Sequence, residues 1–224
     1  MTIPTLIDKN DNFELVLAQI AAILTTEVAS QMALAFADGQ DPQNWNLRIF
    51  TDAFNPWEQF RDSPPEGAAR TPIVNCWWDN SPFQKEGSDV VKKQFCNGRY
   101  NIDIYGYGCA TNETTGHTPG DVNSALDAKR ACRLVRNILM AAEYTYLGMR
   151  GVVMERWVES MNYYQPQIDN RGVVQASGIR IVFTVKFIEL SPQVATETLE
   201  YLSATINRSE TGEVYLVADY DYTT

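Results

Sequence analysis

The sequence predicts an α+β protein: a mainly antiparallel β-sheet flanked by two long α-helices, with a C-terminal β-hairpin extension. Three observations carry that reading. Two stretches repeat apolar residues at helical spacing, one after Asp11 and one after Pro119. Several others alternate with a period of two, most clearly ASGIRIVFTVKFIEL at 176–190. The order along the chain is helix, strands, helix, strands, and then one further strand pair after Pro192.

The first helix starts where Asp11 precedes Glu14 by three residues, the spacing of a capping box. Phe13, Val16, Leu17, Ile20, Leu24 and Val28 then fall on one face until Asp38-Gly39 closes the element. Its most apolar part, LVLAQIAAILTTEVA (15–29), is interrupted by Gln19 and Glu27 and is too short for a bilayer, so it reads as a core helix. WNLRIFT (45–51) alternates as a short strand, and 55–70, with Pro56, Pro64, Pro65 and Gly67, reads as a surface loop. TPIVNCWWDN (71–80) carries apolar groups on both faces, as a central strand does. About twenty residues, 79–98, then form a connection longer than a hairpin needs.

RYNIDIYGYG (99–108) sets Tyr100, Ile102 and Ile104 on one face and Asn101, Asp103, Tyr105 and Tyr107 on the other, and loses its side chains at Gly106 and Gly108. The isoleucine face is expected against a helix and the Tyr/Asp face against a binding partner. After the polar loop 109–120, Thr118 is placed to cap a second helix with Pro119 at its first position and Asp121 at its third. That helix has an apolar stripe of Ala131, Leu134, Val135, Ile138, Leu139 and Ala142, and a basic side of Lys129, Arg130, Arg133 and Arg136. Strands at 152–164 and 176–190 follow. The last pair, around SETG with Gly212 in the turn, comes after a complete core. The division expected is therefore a core at 1–191 and a hairpin arm at 192–224.

A net charge of −10 over 224 residues argues against a chain that wraps nucleic acid with its whole surface. Met1–Asn10 lacks a basic start followed by an apolar run, so a cytoplasmic product is the default expectation. Cys76, Cys96, Cys109 and Cys132 have no zinc-site spacing and read as buried free thiols, with pairing left open by the sequence. His117, alone in a Gly/Thr loop, reads as solvated. There is no G-x-S-x-G, no P-loop and no dinucleotide fingerprint. Asp103 with Glu155 or Glu159 is the one carboxylate pair that could act as acid and base, but Glu155 and Glu159 share a strand face with Trp157, which suits a subunit contact better. No catalytic residue, metal or cofactor is expected, and the chain reads as no enzyme.

Eleven Tyr and five Trp without a catalytic kit point to surfaces that bind protein. The expected subunit interface comprises Tyr105 and Tyr107 at a strand end, Arg133 and Arg136 on the basic helix, and Glu155, Trp157 and Glu159 on one strand. To these the arm adds Tyr201, Leu216, Tyr220 and Tyr222.

The element order over residues 11–190, together with the shape of GIRIVFTVKFIE, resembles the tail terminator proteins of tailed bacteriophages and their head-to-tail joining relatives. The resemblance implies a protomer that closes into a homohexameric ring. That ring would cap the tail tube and meet the neck or connector protein in the virion, with DNA passing only through the lumen. The hairpin departs from the smallest members of that family and implies a contractile tail with a sheath protein to hold. The resemblance further implies assembly in the host cytoplasm and no membrane. Rival readings are another neck or tail-tube subunit of the same fold, a DNA-contacting adaptor using the basic helix, and an enzyme using the carboxylates.

Overall fold

The computed structural model describes residues 8, 10–56, 71–84, 93–113, 116–166, 175–190, 201–207 and 214–221. It has the α+β class the sequence predicts. The chain divides into two compact units, Met1–Ser191 and Pro192–Thr224.

The first unit opens with α1, Asn12–Ala37. The Glu14 carboxylate accepts from the Asp11 N–H at 2.9 Å, so the capping residues act as their spacing predicts. A 3₁₀ turn, Pro42–Trp45, replaces the start of the expected strand at 45–51, because Pro42 and the Asp41 carboxylate on the Gln43 N–H favour a turn. The strand itself, β1, covers only Arg48–Thr51. Then come β2 (Ile73–Asn80), β3 (Phe83–Gln84) and β4 (Lys93–Gly108). The connection after β2 is therefore shorter than expected, since β4 begins six residues before Arg99; its early part is polar and does not alternate, which hid it. Residues 57–70, most of the first expected loop, and 85–92, the middle of the second, lie outside the described residues.

Beyond β4 the loop forms a small ribbon of β5 (Thr111–Glu113) and β6 (Gly116–Thr118). Helix α2 spans Gly120–Leu139 with Pro119 as its N-cap, one position outside the place expected for it. Ala142 falls past the helix end, in a 3₁₀ turn at Ala142–Tyr144. Two long strands close the unit, β7 (Val153–Tyr164) and β8 (Gln175–Leu190).

The sheet order is β1-β2-β4-β8-β7, with β3 beside β4. All pairings are antiparallel except β1 with β2. Both helices contribute to one core on one face of this sheet. Val16, Ile20 and Leu24 from α1 and Ala131, Val135 and Leu139 from α2 are buried with Ile102 and Ile104 of β4 and Ile181, Phe183 and Val185 of β8. Helix α1 is long and apolar enough, by length and composition, to cross a membrane. One face of it is nevertheless packed into this core, and Tyr100 donates its hydroxyl to the Phe13 carbonyl at 3.0 Å.

Gly106 and Gly108 are where α2 crosses β4. A Cβ on Gly106 would lie 2.3 Å from the Ala128 nitrogen, and one on Gly108 would lie 2.2 Å from the Gly120 oxygen. The strand sheds its side chains there so that helix backbone can lie on strand backbone. Buried Ser124 and Ser177 seal the crossing with a hydroxyl hydrogen bond of 2.8 Å. In the second unit, β9 (Tyr201–Asn207) pairs antiparallel with β10 (Val214–Asp221).

Candidate interaction surface

Because strands alternate, every residue that does not face the helices faces the other side of the sheet. Asp103 sits in the middle of that second face, between Asn75 of β2 and Arg180 of β8 in the register. Its side chain is almost fully buried. Arg180 donates Nε to Oδ1 at 2.7 Å and Nη2 to Oδ2 at 2.9 Å, and Trp77 donates its indole N–H to Oδ2 at 2.8 Å. The guanidinium lies 5.0 Å from the Trp77 ring centre and 5.7 Å from that of Tyr164. A buried carboxylate must be paired and hydrogen-bonded to be tolerated, and this one has both. The pairing raises the Arg180 pKa further above its ordinary value. A cleft of about 640 Å³ opens over this group, edged by Phe54, which is 92% exposed.

Glu159 is engaged elsewhere. Arg99 donates Nε to its Oε2 at 3.0 Å and pairs with its other oxygen through Nη2, and Thr184 donates its hydroxyl to Oε2 at 3.1 Å. These contacts, Arg99 foremost, hold the Glu159 carboxyl below its usual range. Arg180 and Thr184 are four residues apart on β8, so the two carboxylate sites are separated by roughly 13 Å along the strand. Each carboxylate has its own arginine, and neither faces the other as acid to base. Among the described residues, no group of three or more His, Cys, Asp and Glu side chains could hold a metal ion. His117 is exposed, with Nδ1 2.7 Å from the Asn112 amide oxygen.

The expected interface residues separate into several environments. Tyr105 is 3% exposed, packed edge-on to Tyr164 at a centroid distance of 6.1 Å, and thus cannot offer a free aromatic surface. It lies inside the strand rather than at its end, since β4 runs on to Gly108. Tyr107 is half-buried, with its N–H donating to Asp127 at 3.2 Å and its hydroxyl 3.0 Å from Cys109 Sγ. Glu155, Trp157 and Glu159 are exposed on β7. Arg133 and Arg136 are exposed on α2 and, among the described residues, make no ion pair. Arg130, from the same basic side, is instead tied to Asp127 at 2.6 Å and to Asn44 at 2.7 Å. Tyr201, Leu216 and Tyr220 lie in β9 and β10; Tyr222 is outside the described residues.

Sequence reasoning missed the sheet edge. β7 has β8 on one side and no strand on the other among the described residues, and it exposes Met154 (43%), Met161 (52%) and Tyr163 (52%). An edge strand with apolar side chains and unpaired backbone groups is a template for another chain. Alongside it lies a groove of about 750 Å³, floored by Cys132, Met161, Tyr163 and Ile179 and rimmed by Lys129, Arg133 and Arg136. The signal was present as outward Met and Tyr in VMERWVESMNYY, but only strand order reveals which strand is outermost.

All four cysteines are free thiols; Cys109 alone is only half-buried. Burial, followed by the nearby Asp103 and Asp52 charges, pushes the Cys76 thiol up to about 12. Since the thiolate is the nucleophile, iodoacetamide at mildly alkaline pH should label Cys109 first and Cys76 last in the native protein. Peptide mass mapping checks this, and equal early labelling of all four would show the core is open.

These features define an α+β protein with a sheet edge left open among the described residues, a basic groove, and two carboxylates each held by its own arginine. No protein-family model matches the chain, and no curated protein matches it.

Proposed function

We propose that the chain is a structural subunit of a bacteriophage virion, a tail terminator whose copies close into a ring. The ring caps the tail tube, joins it to the neck or connector protein and holds the sheath. The observation that carries this reading is the β7 edge, open among the described residues, beside the basic groove, a surface suited to association rather than catalysis. The flanking of one sheet by two long helices and the hairpin-like second unit fit the same role. Self-association through a heterologous contact closes into a ring when the rotation closes. Net charge far from zero suits a lumen through which DNA slides without sticking. The engagement of Asp103 and Glu159 with separate arginines supports a non-enzymatic role that needs no cofactor. In this reading the chain is made in the host cytoplasm, reaches no membrane and ends in the tail or neck of the virion.

Electron microscopy and light scattering of the purified protein over a wide concentration range test the reading. Closed rings, hexameric on the family analogy, are the expected result. A monomer at every concentration that also fails to assemble on tail tubes would overturn it. Lys129, Arg133 and Arg136, which make no ion pair among the described residues, favour one second reading, a DNA-contacting adaptor. It predicts duplex binding that weakens steeply with salt, whereas the terminator reading predicts no tight binding.

A further inference from the structure

We infer that the β7 edge and the groove beside it receive the acidic C-terminal segment of a second copy of this chain, added as a strand. The inference rests on the self-association part of the proposed function and names its contact.

On the receiving side the register of β7 is broken between Val153 and Glu155 and again between Val158 and Ser160. Bulges discourage pairing, so the regular edge is the last stretch, Ser160–Tyr164. That stretch carries Met161 and Tyr163, the two side chains that also floor the groove. The apolar floor, the free backbone edge and the rim of Lys129, Arg133 and Arg136 therefore coincide. An occupant that satisfies all three is an extended strand with apolar residues and carboxylates.

Such a segment exists in the chain. Residues 192–224 contain Glu197, Glu200, Glu210, Glu213, Asp219 and Asp221 against a single cation, Arg208. They form a two-stranded sheet in which β9 and β10 each have one partner among the described residues and hence one edge left over. An isolated pair of strands is marginal in water and gains from a third. Strand addition supplies the backbone hydrogen bonds, and the charges choose the partner. β10, with Val217, Asp219, Tyr220 and Asp221, is the better match.

The test uses the full chain with Met161→p-benzoylphenylalanine, mixing isotopically light and heavy copies before irradiation. The expected product joins position 161 of one copy to a peptide within 198–221 of the other. Arg133→Glu with Arg136→Glu should cut that product roughly tenfold, from the typical strength of a few partly exposed ion pairs. Asp219→Lys with Asp221→Lys on the donor copy should restore it, which also shows that the reversed protein is folded. Products only within one copy, products with another segment, or a yield indifferent to charge reversal would each overturn the inference. Light scattering on the same samples separates the two ideas. Rings without the cross-copy product defeat this contact and leave the function standing; the product from a protein that never closes into rings does the reverse.

Discussion

Replacing Gly106 with alanine is expected to lower the melting temperature of the first unit by roughly 6 to 12 °C. The added methyl group would sit 2.3 Å from the Ala128 nitrogen, 2.4 Å from the Ser124 oxygen and 2.8 Å from the Ala128 Cα. All three are backbone atoms of α2, so no rotamer change relieves the clash and the helix must move off the strand. Overpacking of this kind costs about 3 kcal/mol, and a core of this size loses about 2–4 °C per kcal/mol. Gly108→Ala should behave similarly, against the Gly120 oxygen at 2.2 Å and the Ser124 nitrogen at 2.3 Å. Gly39→Ala is the control. Gly39 has φ +71° but nothing within 4 Å, so only the left-handed backbone cost of about 1 kcal/mol applies. Thermal unfolding followed by circular dichroism checks the series. A Gly106→Ala loss no larger than that of Gly39→Ala would mean that α2 does not lie on β4 as described.

The same two glycines show how much of this protein is legible before folding. Alternation in 176–190 and in 100–104 identifies the faces correctly, because a side chain's choice of face is a local property of the strand. Asp11 and Glu14 likewise mark the start of α1 through a contact three residues long. Gly106 and Gly108 announce that something must approach closely, but what approaches is decided by residues 12 to 22 positions later, which no local pattern contains. Tyr105 was expected to face outward for the same reason: alternation placed it on the correct side, while its burial depends on Tyr164, nearly sixty residues away. Glu159 and Asp103 look like a potential acid–base pair in sequence. Only the pairing of β8 with β4 on one side and β7 on the other shows that Arg180 and Arg99 have claimed them separately. The β7 edge, on which the proposed association rests, is set by strand order and so is the least visible of all in the sequence.

Asp103 and Arg180 should prove strongly coupled in stability. Asp103→Ala removes the acceptor of three hydrogen bonds at once and leaves the Trp77 indole N–H and the Arg180 guanidinium facing a gap. Arg180→Ala leaves a carboxylate buried at 3% exposure with only the indole for company. Breaking a fully buried pair by removing one partner costs about 3–5 kcal/mol. Because 38% of the Arg180 side chain is exposed, water can partly replace it, and about 2–3 kcal/mol is the expected loss for either single change. The double variant should lose little more than the worse single one, since once one partner is gone the other is a liability. The resulting coupling energy, about 2 kcal/mol, is read from urea unfolding of the four proteins in a double-mutant cycle. Asp103→Asn should be milder than Asp103→Ala, because an amide oxygen can still accept from Trp77. If the two single losses simply add, the pair does not hold the sheet face together. A folded Asp103→Asn protein of near wild-type stability that nonetheless failed in assembly would move Asp103 from the scaffold to the contact surface.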